Sequence, residues 1–313
     1  MAQNYTLDEI KARIIAVGTK ASKIKWLTEE AGYNREDAES TYRLIMMLNP
    51  EAEAASRLAN ARAIHFTMGV ELECINVNRN EVRRLCTERG IETRDDYLAY
   101  NHRDSETTYK LMSDASLVGA SNDPYSPCEI VTPVLRNLNS LKTVCEVINE
   151  AGAKVNKTCG LHVHFGAKDF TDAQWYRIIC NYGRIEDIID SFMPASRRGE
   201  AQWCASVKNH ARNLEARANR GQRITFGDCR YELGSRYHKV NLEAFSRHRT
   251  IEFRQHSGTT NFTKIENWVK FLAAFLTYSI RNERLIEATN IDELPFLNEA
   301  QKNYFKNRVD DLS

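Results

Sequence analysis

Two histidines stand one residue apart in the segment CGLHVHFGA, residues 159–167. Side chains of a β-strand point alternately to opposite faces, so His162 and His164 would share one face while apolar residues fill the other. Histidine is the commonest protein ligand of metal ions, and two imidazoles side by side suit a metal ion or a phosphate. The alternative is a pair of solvated or core histidines, and the spacing alone leaves both open.

The same alternation recurs in two further strand-like segments. GVELEC places Glu71 and Glu73 on one face, and TIEFRQH does the same for Glu252 and Arg254. Charged side chains on a sheet face require counter-charges, and metal ions and phosphates supply them. The three segments together therefore predict a site for a metal ion or a phosphorylated ligand.

Three more polar residues are candidates for this site. Glu129 is the one charged residue in the apolar segment CEIVTPVL, and an ionised side chain in such a strand needs a partner. Asp114 and Ser116 follow the end of the strand predicted near 106–112. Asp114 on its own would be an ordinary turn residue.

This combination of side chains points to a particular chemistry. Carboxylates, imidazoles and arginines on one face suit Mg²⁺ or Mn²⁺ with a nucleotide better than a sulfur-rich zinc site. Carboxylates spread over several strands can serve two or three ions, because Mg²⁺ is usually held by few protein ligands plus substrate phosphates. Arginines and metal ions together would neutralise the charge that develops during phosphoryl transfer.

The elements that must position these residues alternate between the strand period and the helix period. Strands are predicted at 64–77, near 106–112, at 128–135, at 159–167 and as a pair joined by a tight turn within 236–259. Helices are predicted around 81–100, at 139–151, and from the capping pairs Thr171/Gln174 and Thr263/Glu266. We expect an α+β fold with a curved, mainly antiparallel sheet, helices on one face and the ionisable residues on the other.

The first sixty residues have a helical pattern, which begins with a capping box at Thr6 and Glu9. We expect an N-terminal helical extension at 1–62 and a main domain at 63–313. Two helices of the extension have the outline of a helix-turn-helix, but the second begins with acidic residues that would repel DNA phosphates. The alternative is a helical cap packed on the main domain.

Composition limits the class of protein. The chain has 313 residues, of which 42% are hydrophobic, with 43 Lys and Arg against 42 Asp and Glu. No run approaches the about 18 apolar residues of a membrane span, and the N-terminus lacks a signal-peptide core, so we expect a cytoplasmic protein with no membrane partner. The eight cysteines contain no C-x-x-C pair, which favours reduced, buried thiols.

Positive charge is concentrated late in the chain. Residues 197–249 contain 12 Lys and Arg against 5 Asp and Glu, a local net charge of +7. Such a segment is typical of a solvated helix face, a nucleic-acid surface or a lid over a polyphosphate. The acidic strands favour the lid, and the lack of regular periodicity at 197–236 predicts a mobile flap there.

Four short motifs now stand in order: GVELEC, then SDASL with CEIVTP, then CGLHVHFGA, then TIEFRQHSGT before a long helix. In this order they resemble the putative amidoligase family, which belongs to the carboxylate-amine ligases and has glutamine synthetase and gamma-glutamylcysteine ligase as relatives. The resemblance covers roughly residues 64–285. It implies a glutamine synthetase-like catalytic domain that forms an amide from a small-molecule or peptide carboxylate and an amine.

The resemblance also implies ATP and Mg²⁺ or Mn²⁺ as cofactors, with an acyl phosphate as the intermediate. By similarity, the metal ligands would be Glu71, Glu73, Glu129, His162 and Glu252. The residues that contact Mg-ATP would be Glu71, Glu73, His164, Ser116 and Arg236. The catalytic residues would be Arg254, which contacts the acyl substrate, with His164 and Asp114.

One position departs from the family's pattern. Glutamine synthetase has an arginine two residues before the matched glutamate, on the same strand face, where this chain has Thr250. The neighbouring Arg249 would lie on the opposite face, which makes it an unsuitable phosphate ligand. Arg236, or an arginine at 212–230, is a candidate to replace it.

Two other functions stay open. A metal-dependent hydrolase would use the same histidines and glutamates around zinc, but no third His or Cys stands at a recognisable zinc spacing. A nucleic-acid-binding protein would use the Arg-rich segment and the N-terminal helices, but aromatic residues are widely spaced in that segment. The sequence does not determine the oligomeric state.

Overall fold

The computed structural model describes residues 5–15, 20–49, 66–95, 107–113, 116–118 and 127–312. Contacts between residues divide the chain into two compact units, residues 1–64 and 65–313. Asp114 lies outside the described residues, as do the first two residues of the strand predicted at 64–77.

The described residues of the first unit contain three helices, α1 (Leu7–Ile15), α2 (Lys20–Glu29) and α3 (Arg35–Met47). The predicted capping box is confirmed, because the backbone N of Thr6 donates to Glu9 Oε2 at 2.7 Å and that of Glu9 donates to Thr6 Oγ1 at 3.3 Å. Ile14 and Leu27 are fully buried in the core between the helices. The helical character predicted for these residues is confirmed for the described part of the unit.

The second unit is built on one mixed sheet. Its strands are β1 (Met68–Cys74), β2 (Thr93–Asp95), β3 (Tyr109–Met112), β4 (Cys128–Val131), β5 (Gly160–Gly166), β6 (Val240–Asn241) and β7 (Thr250–Ser257). Their order is β2-β3-β4-β1-β5-β7-β6; β2 and β3 are parallel, and every other neighbouring pair is antiparallel. The predicted α+β class is therefore confirmed for the described residues, with an open, mainly antiparallel sheet.

The helices of this unit are α4 (Arg79–Glu88), α5 (Asn139–Glu150), α6 (Asp172–Ser191), α7 (Lys208–Asn219), α8 (Phe226–Leu233), α9 (Ala244–His248), α10 (Phe262–Arg281) and α11 (Glu299–Asp310). Three predicted details are wrong. The helix predicted around 81–100 ends at Glu88, and the strand β2 lies within that range. The strands β6 and β7 are joined by the short helix α9 instead of a tight turn. The N-cap of α10 is Asn261 instead of Thr263. Within the described parts of the chain, no helix has both the length and the apolar character needed to cross a membrane.

The apolar face of β5 and β7 carries the core. Phe165 and Phe253 lie on this face, and rings from α6 and α10 pack on Phe253, with centroid distances of 5.7 Å for Tyr182 and 6.2 Å for Phe275. Because side chains alternate along a strand, anchoring this face directs the intervening residues to the other side of the sheet. Those intervening residues are the predicted site residues of the two strands.

The Arg-rich segment has regular structure, whereas the mobile flap predicted at 197–236 stays a prediction. It forms α7 and α8, both of which pack against α6. Several of its arginines form ion pairs, such as Arg217 with Asp228, so the basic residues that obscured the helical period lie on paired, solvated faces. The segment therefore contains helices, although its sequence lacks the apolar period from which a helix is predicted.

All eight cysteines are buried and unpaired, as predicted. Cys74 and Cys128 lie opposite each other on β1 and β4. Burial raises the pKa of the Cys128 thiol to about 12, so it carries almost no thiolate at neutral pH.

A buried histidine makes the stability of the second unit depend on pH. His256 on β7 is 5% exposed and its ring lies 5.6 Å from that of Trp268. Burial lowers its pKa from 6.5 to about 4. Between these values the unfolded chain binds a proton that the folded chain does not, so the free energy of unfolding should fall as the pH decreases from 6.5 to 4.

The expected loss from His256 over this pH range is on the order of 3 kcal/mol. His256→Gln, which does not titrate there, should show a correspondingly smaller pH dependence. Urea unfolding of both proteins at pH 7, 5.5 and 4.5 measures the difference. An identical pH dependence in the two proteins would show that His256 does not contribute.

Candidate functional site

Strand register brings the predicted ionisable residues to one face of the sheet. β1 lies between β4 and β5, so that Glu73 is opposite Glu129 and Glu71 is opposite His162. Residues directly opposite each other in an antiparallel pair have Cβ atoms about 5 Å apart. We call the resulting set the acidic cluster: Glu71, Glu73, Glu129, His162, His164 and Glu252.

One group within the acidic cluster consists of Glu71, His162 and Glu252. Nδ1 of His162 lies 3.0 Å from Glu71 Oε2 and 3.8 Å from Glu252 Oε1. The candidate ligand atoms of the three side chains all lie within 4.8 Å of one another. This spacing is close to what a single bound cation requires of its ligands.

A second group consists of Glu73, Glu129 and His162, whose candidate ligand atoms also all lie within 4.8 Å of one another. Here the other ring nitrogen of the histidine is used, since Nε2 of His162 lies 3.5 Å from Glu73 Oε1. Glu73 is only 5% exposed, and its Oε2 accepts a hydrogen bond from the backbone N of Gly160 at 2.5 Å. The acidic cluster therefore offers two neighbouring cation positions that share one imidazole.

Because His162 belongs to both groups, the chemistry of its ring limits how many ions it can ligate. A neutral imidazole has one nitrogen with a free lone pair, and its other nitrogen carries a proton. The ring can therefore ligate an ion in only one group, while its N–H donates to a carboxylate of the other group. Such a donation fixes the orientation of the ligating ring.

His164 lies next to the first group and opposite Glu252 in the ladder. Its Nε2 is 3.2 Å from Glu71 Oε1, and its Nδ1 is 3.0 Å from Thr250 Oγ1. Burial alone would lower the pKa of His164, but Glu71 and Glu252 raise it to about 9. Thr250 Oγ1 is therefore at hydrogen-bonding distance from the ring and helps to fix its orientation.

The carboxylate of Glu252 is fixed on both sides. Its Oε1 accepts from Arg254 Nη1 and its Oε2 accepts from Asn241 Nδ2, both at 2.5 Å. Burial would raise the pKa of Glu252, but the charges of Arg254 and His164 hold it below the usual range. Burial opposes ionisation of Glu71 as well, and the two histidines of the cluster hold its pKa well below the usual range.

Arg254 keeps part of its guanidinium available. Its side chain is 15% exposed, and Nε is buried without a hydrogen-bond partner among the described residues. β7 has a bulge between Phe253 and His256, the residues that pair with Val163 and Leu161 of β5. The bulge directs Gln255 towards α6, where it accepts from the Tyr182 hydroxyl at 2.5 Å, while Arg254 stays beside Glu252.

The donor set of the acidic cluster fits a hard divalent cation. Four carboxylates and a shared imidazole are typical ligands of Mg²⁺ or Mn²⁺, whereas zinc sites contain more nitrogen or sulfur. Bound ions would also offset the repulsion between carboxylates that lie within 4.8 Å of a common imidazole. The arrangement can hold cations and present them to phosphate or carboxylate oxygens.

Two polar residues of the site were not singled out by the sequence analysis. Asn241 fixes Glu252, but asparagine in a short strand carries no distinctive signal. Lys110 on β3 is 4% exposed. It lies opposite Val131 of β4, and Val131 lies opposite Glu71 of β1, so the register places Lys110 on the site face. The rule that selected Glu129, a charge within an apolar strand, would have selected Lys110 too.

Two of the remaining predicted residues, Arg236 and Ser116, can be placed within the part of the chain that the structure describes. Arg236 is exposed; its Nη2 donates to the Tyr237 hydroxyl at 2.9 Å and its guanidinium lies over the same ring. Ser116 is exposed too. Arg249 lies over the ring of Phe245, at 5.3 Å from its centroid.

Comparison with known protein families gives a match over most of the second unit. Residues 65–276 match the model of a family described as putative amidoligase enzyme, which is more than half of the chain. The match spans all seven strands and every residue of the acidic cluster. A search of curated proteins gives no match.

Proposed function

The chain belongs to the putative amidoligase family, and from that premise we propose that it is an ATP-dependent carboxylate-amine ligase. The observation that carries the proposal is that two groups of side chains, each spaced to bind one cation, share His162, with Arg254 beside one of the groups. A ligase that activates a carboxylate with ATP must hold several phosphate charges beside a second anion. Two cation positions and a guanidinium on one sheet face suit that requirement.

The proposed reaction has two steps. An oxygen of the substrate carboxylate attacks the terminal phosphorus of ATP, the bond to the bridging oxygen breaks, and ADP leaves with that electron pair. The amine nitrogen then attacks the acyl carbon, phosphate leaves, and the nitrogen loses a proton. The products are an amide, ADP and inorganic phosphate.

Each part of the acidic cluster has a role in this proposal. Glu71 and Glu252 would hold one Mg²⁺ or Mn²⁺ ion, and Glu73 and Glu129 the other, with His162 as a ligand of one of them. Ions held there would supply positive charge that neutralises the phosphates. His164, oriented by Thr250, would donate to a phosphate oxygen.

Arg254 would bind the acyl substrate. Its buried Nε lacks a partner among the described residues, and a planar guanidinium pairs with a carboxylate through two parallel hydrogen bonds. We therefore include in the proposal that the acyl substrate carries a second carboxylate, as an amino acid or peptide does. Residues 63–313 would form the glutamine synthetase-like catalytic domain in this proposal, and residues 1–62 a helical extension.

Isothermal titration of ATP with and without Mg²⁺ tests the metal-dependent binding step. We expect binding with Mg²⁺ and little without it, because the carboxylates would repel free phosphates. A screen for ADP release, with amino acids and short peptides as carboxylates and amino acids, polyamines and ammonia as amines, tests the reaction. Equal or absent ATP binding in both titrations, or amide cleavage without nucleotide, would contradict the proposal.

A further inference from the structure

One buried arginine of the Arg-rich segment has no role in the proposed function so far. Arg197 ends the 3-10 turn Ala195–Arg197, and only 4% of it is exposed. Its Nη2 donates to the backbone oxygen of Cys159 at 2.5 Å, at the start of β5. A positive charge from a distant part of the chain is thus fixed at one end of the strand that carries the site histidines.

Gly160 defines where this charge lies relative to the acidic cluster. A Cβ atom at Gly160 would lie 2.8 Å from His162 Nε2, 3.2 Å from Glu73 Oε2 and 3.4 Å from Arg197 Nη1. The three polar atoms therefore border one small space above the glycine. A Cβ atom there would be too close to the His162 ring, so the absence of a side chain at residue 160 lets Arg197 and the acidic cluster approach each other.

The other arginines of the segment have contacts elsewhere. Arg217 pairs with Asp228, Arg223 with Asp172 at 3.1 Å, and Arg236 stacks on Tyr237. Among the described arginines at 197–236, Arg197 is the one found beside residues of the acidic cluster.

The position of Arg197 is held by a buried polar network. The Nε2 of Gln255 donates to the backbone oxygen of Arg197 at 3.4 Å and to Asp190 Oδ1 at 2.5 Å. The fully buried Lys239 donates to Asp190 and Glu186, at 2.7 and 2.8 Å. Buried networks of this kind restrict movement, so the guanidinium is preorganised in the site.

The guanidinium has no carboxylate partner among the described residues. It carries five N–H groups, of which the backbone oxygen of Cys159 accepts one; Cys204 is a further neighbour, and Glu73 Oε2 already accepts from the backbone N of Gly160. A buried positive charge normally has an anionic partner, and an incoming oxyanion between Arg197 and the second cation group would supply one. Phosphate oxygens have the charge and spacing to do so.

We propose that Arg197 is a catalytic residue that binds the terminal phosphate of ATP. The proposal rests on the ligase function proposed above and adds a specific phosphate contact to it. Placed beside Glu73 and His162, the guanidinium would neutralise negative charge on the phosphoryl group while the bond to ADP breaks. Arg254 and Arg197 would then serve different ligands, the acyl substrate and the phosphate.

The test compares Mg-ADP with the Mg²⁺ complex of β,γ-imido-ATP, which has a terminal phosphate but is not cleaved. Isothermal titration of the wild-type protein should show tighter binding of the imido-ATP. In Arg197→Gln this complex should bind about 10- to 100-fold more weakly, the usual effect of losing charge-assisted hydrogen bonds, with Mg-ADP changed less than about threefold. Arg198→Gln, at the exposed neighbouring arginine, is the matched control and should bind both as the wild type does.

Arg197→Lys covers the case in which Arg197→Gln does not fold. Lysine keeps the charge and the aliphatic stem but not the fork, so a loss of about 10-fold for imido-ATP alone is expected. A folded variant at Arg197 that prefers imido-ATP over Mg-ADP as the wild type does would overturn this role and leave the ligase proposal intact. A wild-type protein that binds neither nucleotide with Mg²⁺ would overturn both.

Discussion

His162→Ala is expected to raise the Kd for Mg-ATP by at least about 100-fold, since even a residue that only supports a metal ligand is commonly worth 10- to 100-fold. His162 belongs to both cation groups and contacts Glu71, Glu73 and Glu252. Its removal leaves two carboxylates in each group and no imidazole to ligate an ion or to fix the partner carboxylate. Isothermal titration with Mg-ATP measures the effect.

His210→Ala is a suitable control for this experiment. His210 lies on α7 and pairs with Glu232 at 3.6 Å, so its removal deletes an imidazole without altering a cation group. Circular dichroism and urea unfolding of both variants separate loss of the site from loss of the fold. Wild-type affinity for Mg-ATP in folded His162→Ala would show that the acidic cluster does not hold the metal.

Arg254→Lys is expected to raise the KM for the acyl substrate by about 10- to 100-fold and to leave the Kd for Mg-ATP within about threefold of the wild-type value. Lysine keeps a positive charge beside Glu252, so the ionisation of that carboxylate is preserved. It cannot offer two parallel N–H groups to a carboxylate. The loss should therefore fall on the substrate that uses the fork.

Kinetics with a substrate pair found by the ADP-release screen measure this split. Arg254→Gln provides the comparison, because it removes the charge that stabilises ionised Glu252 and should weaken Mg-ATP binding as well. If Arg254→Lys leaves the KM of the acyl substrate unchanged, Arg254 serves the phosphates or the fold instead.

The sequence was sufficient to predict the acidic cluster because the argument needed only a period of two. Once 69–74 and 159–167 are strands, Glu71, Glu73 and the two histidines fall on common faces wherever the strands begin or end. Glu129 followed from a separate rule, that a charge in an apolar strand needs a partner. Both arguments tolerate errors of several residues in the predicted boundaries.

The parts that were missed depend on contacts between distant segments. Arg197 reaches the backbone of Cys159 across 38 residues of sequence, and Asn241 reaches Glu252 only because β6 pairs with β7. No local pattern marks either contact. The helices α7 and α8 were missed for another reason, since arginines on their solvated faces weaken the apolar period that reveals a helix.

The layer of thiols behind the site has a practical consequence. Cys74 follows Glu73, Cys128 precedes Glu129 and Cys159 precedes Gly160, and all three sulfurs are fully shielded from water. A thiol reagent can reach them only when the strands separate, so the rate of labelling reports how often that part of the sheet opens. The labelling rate of these thiols therefore measures the rigidity of the site. A ligand bound on the opposite face of the sheet would slow the labelling without contacting a sulfur.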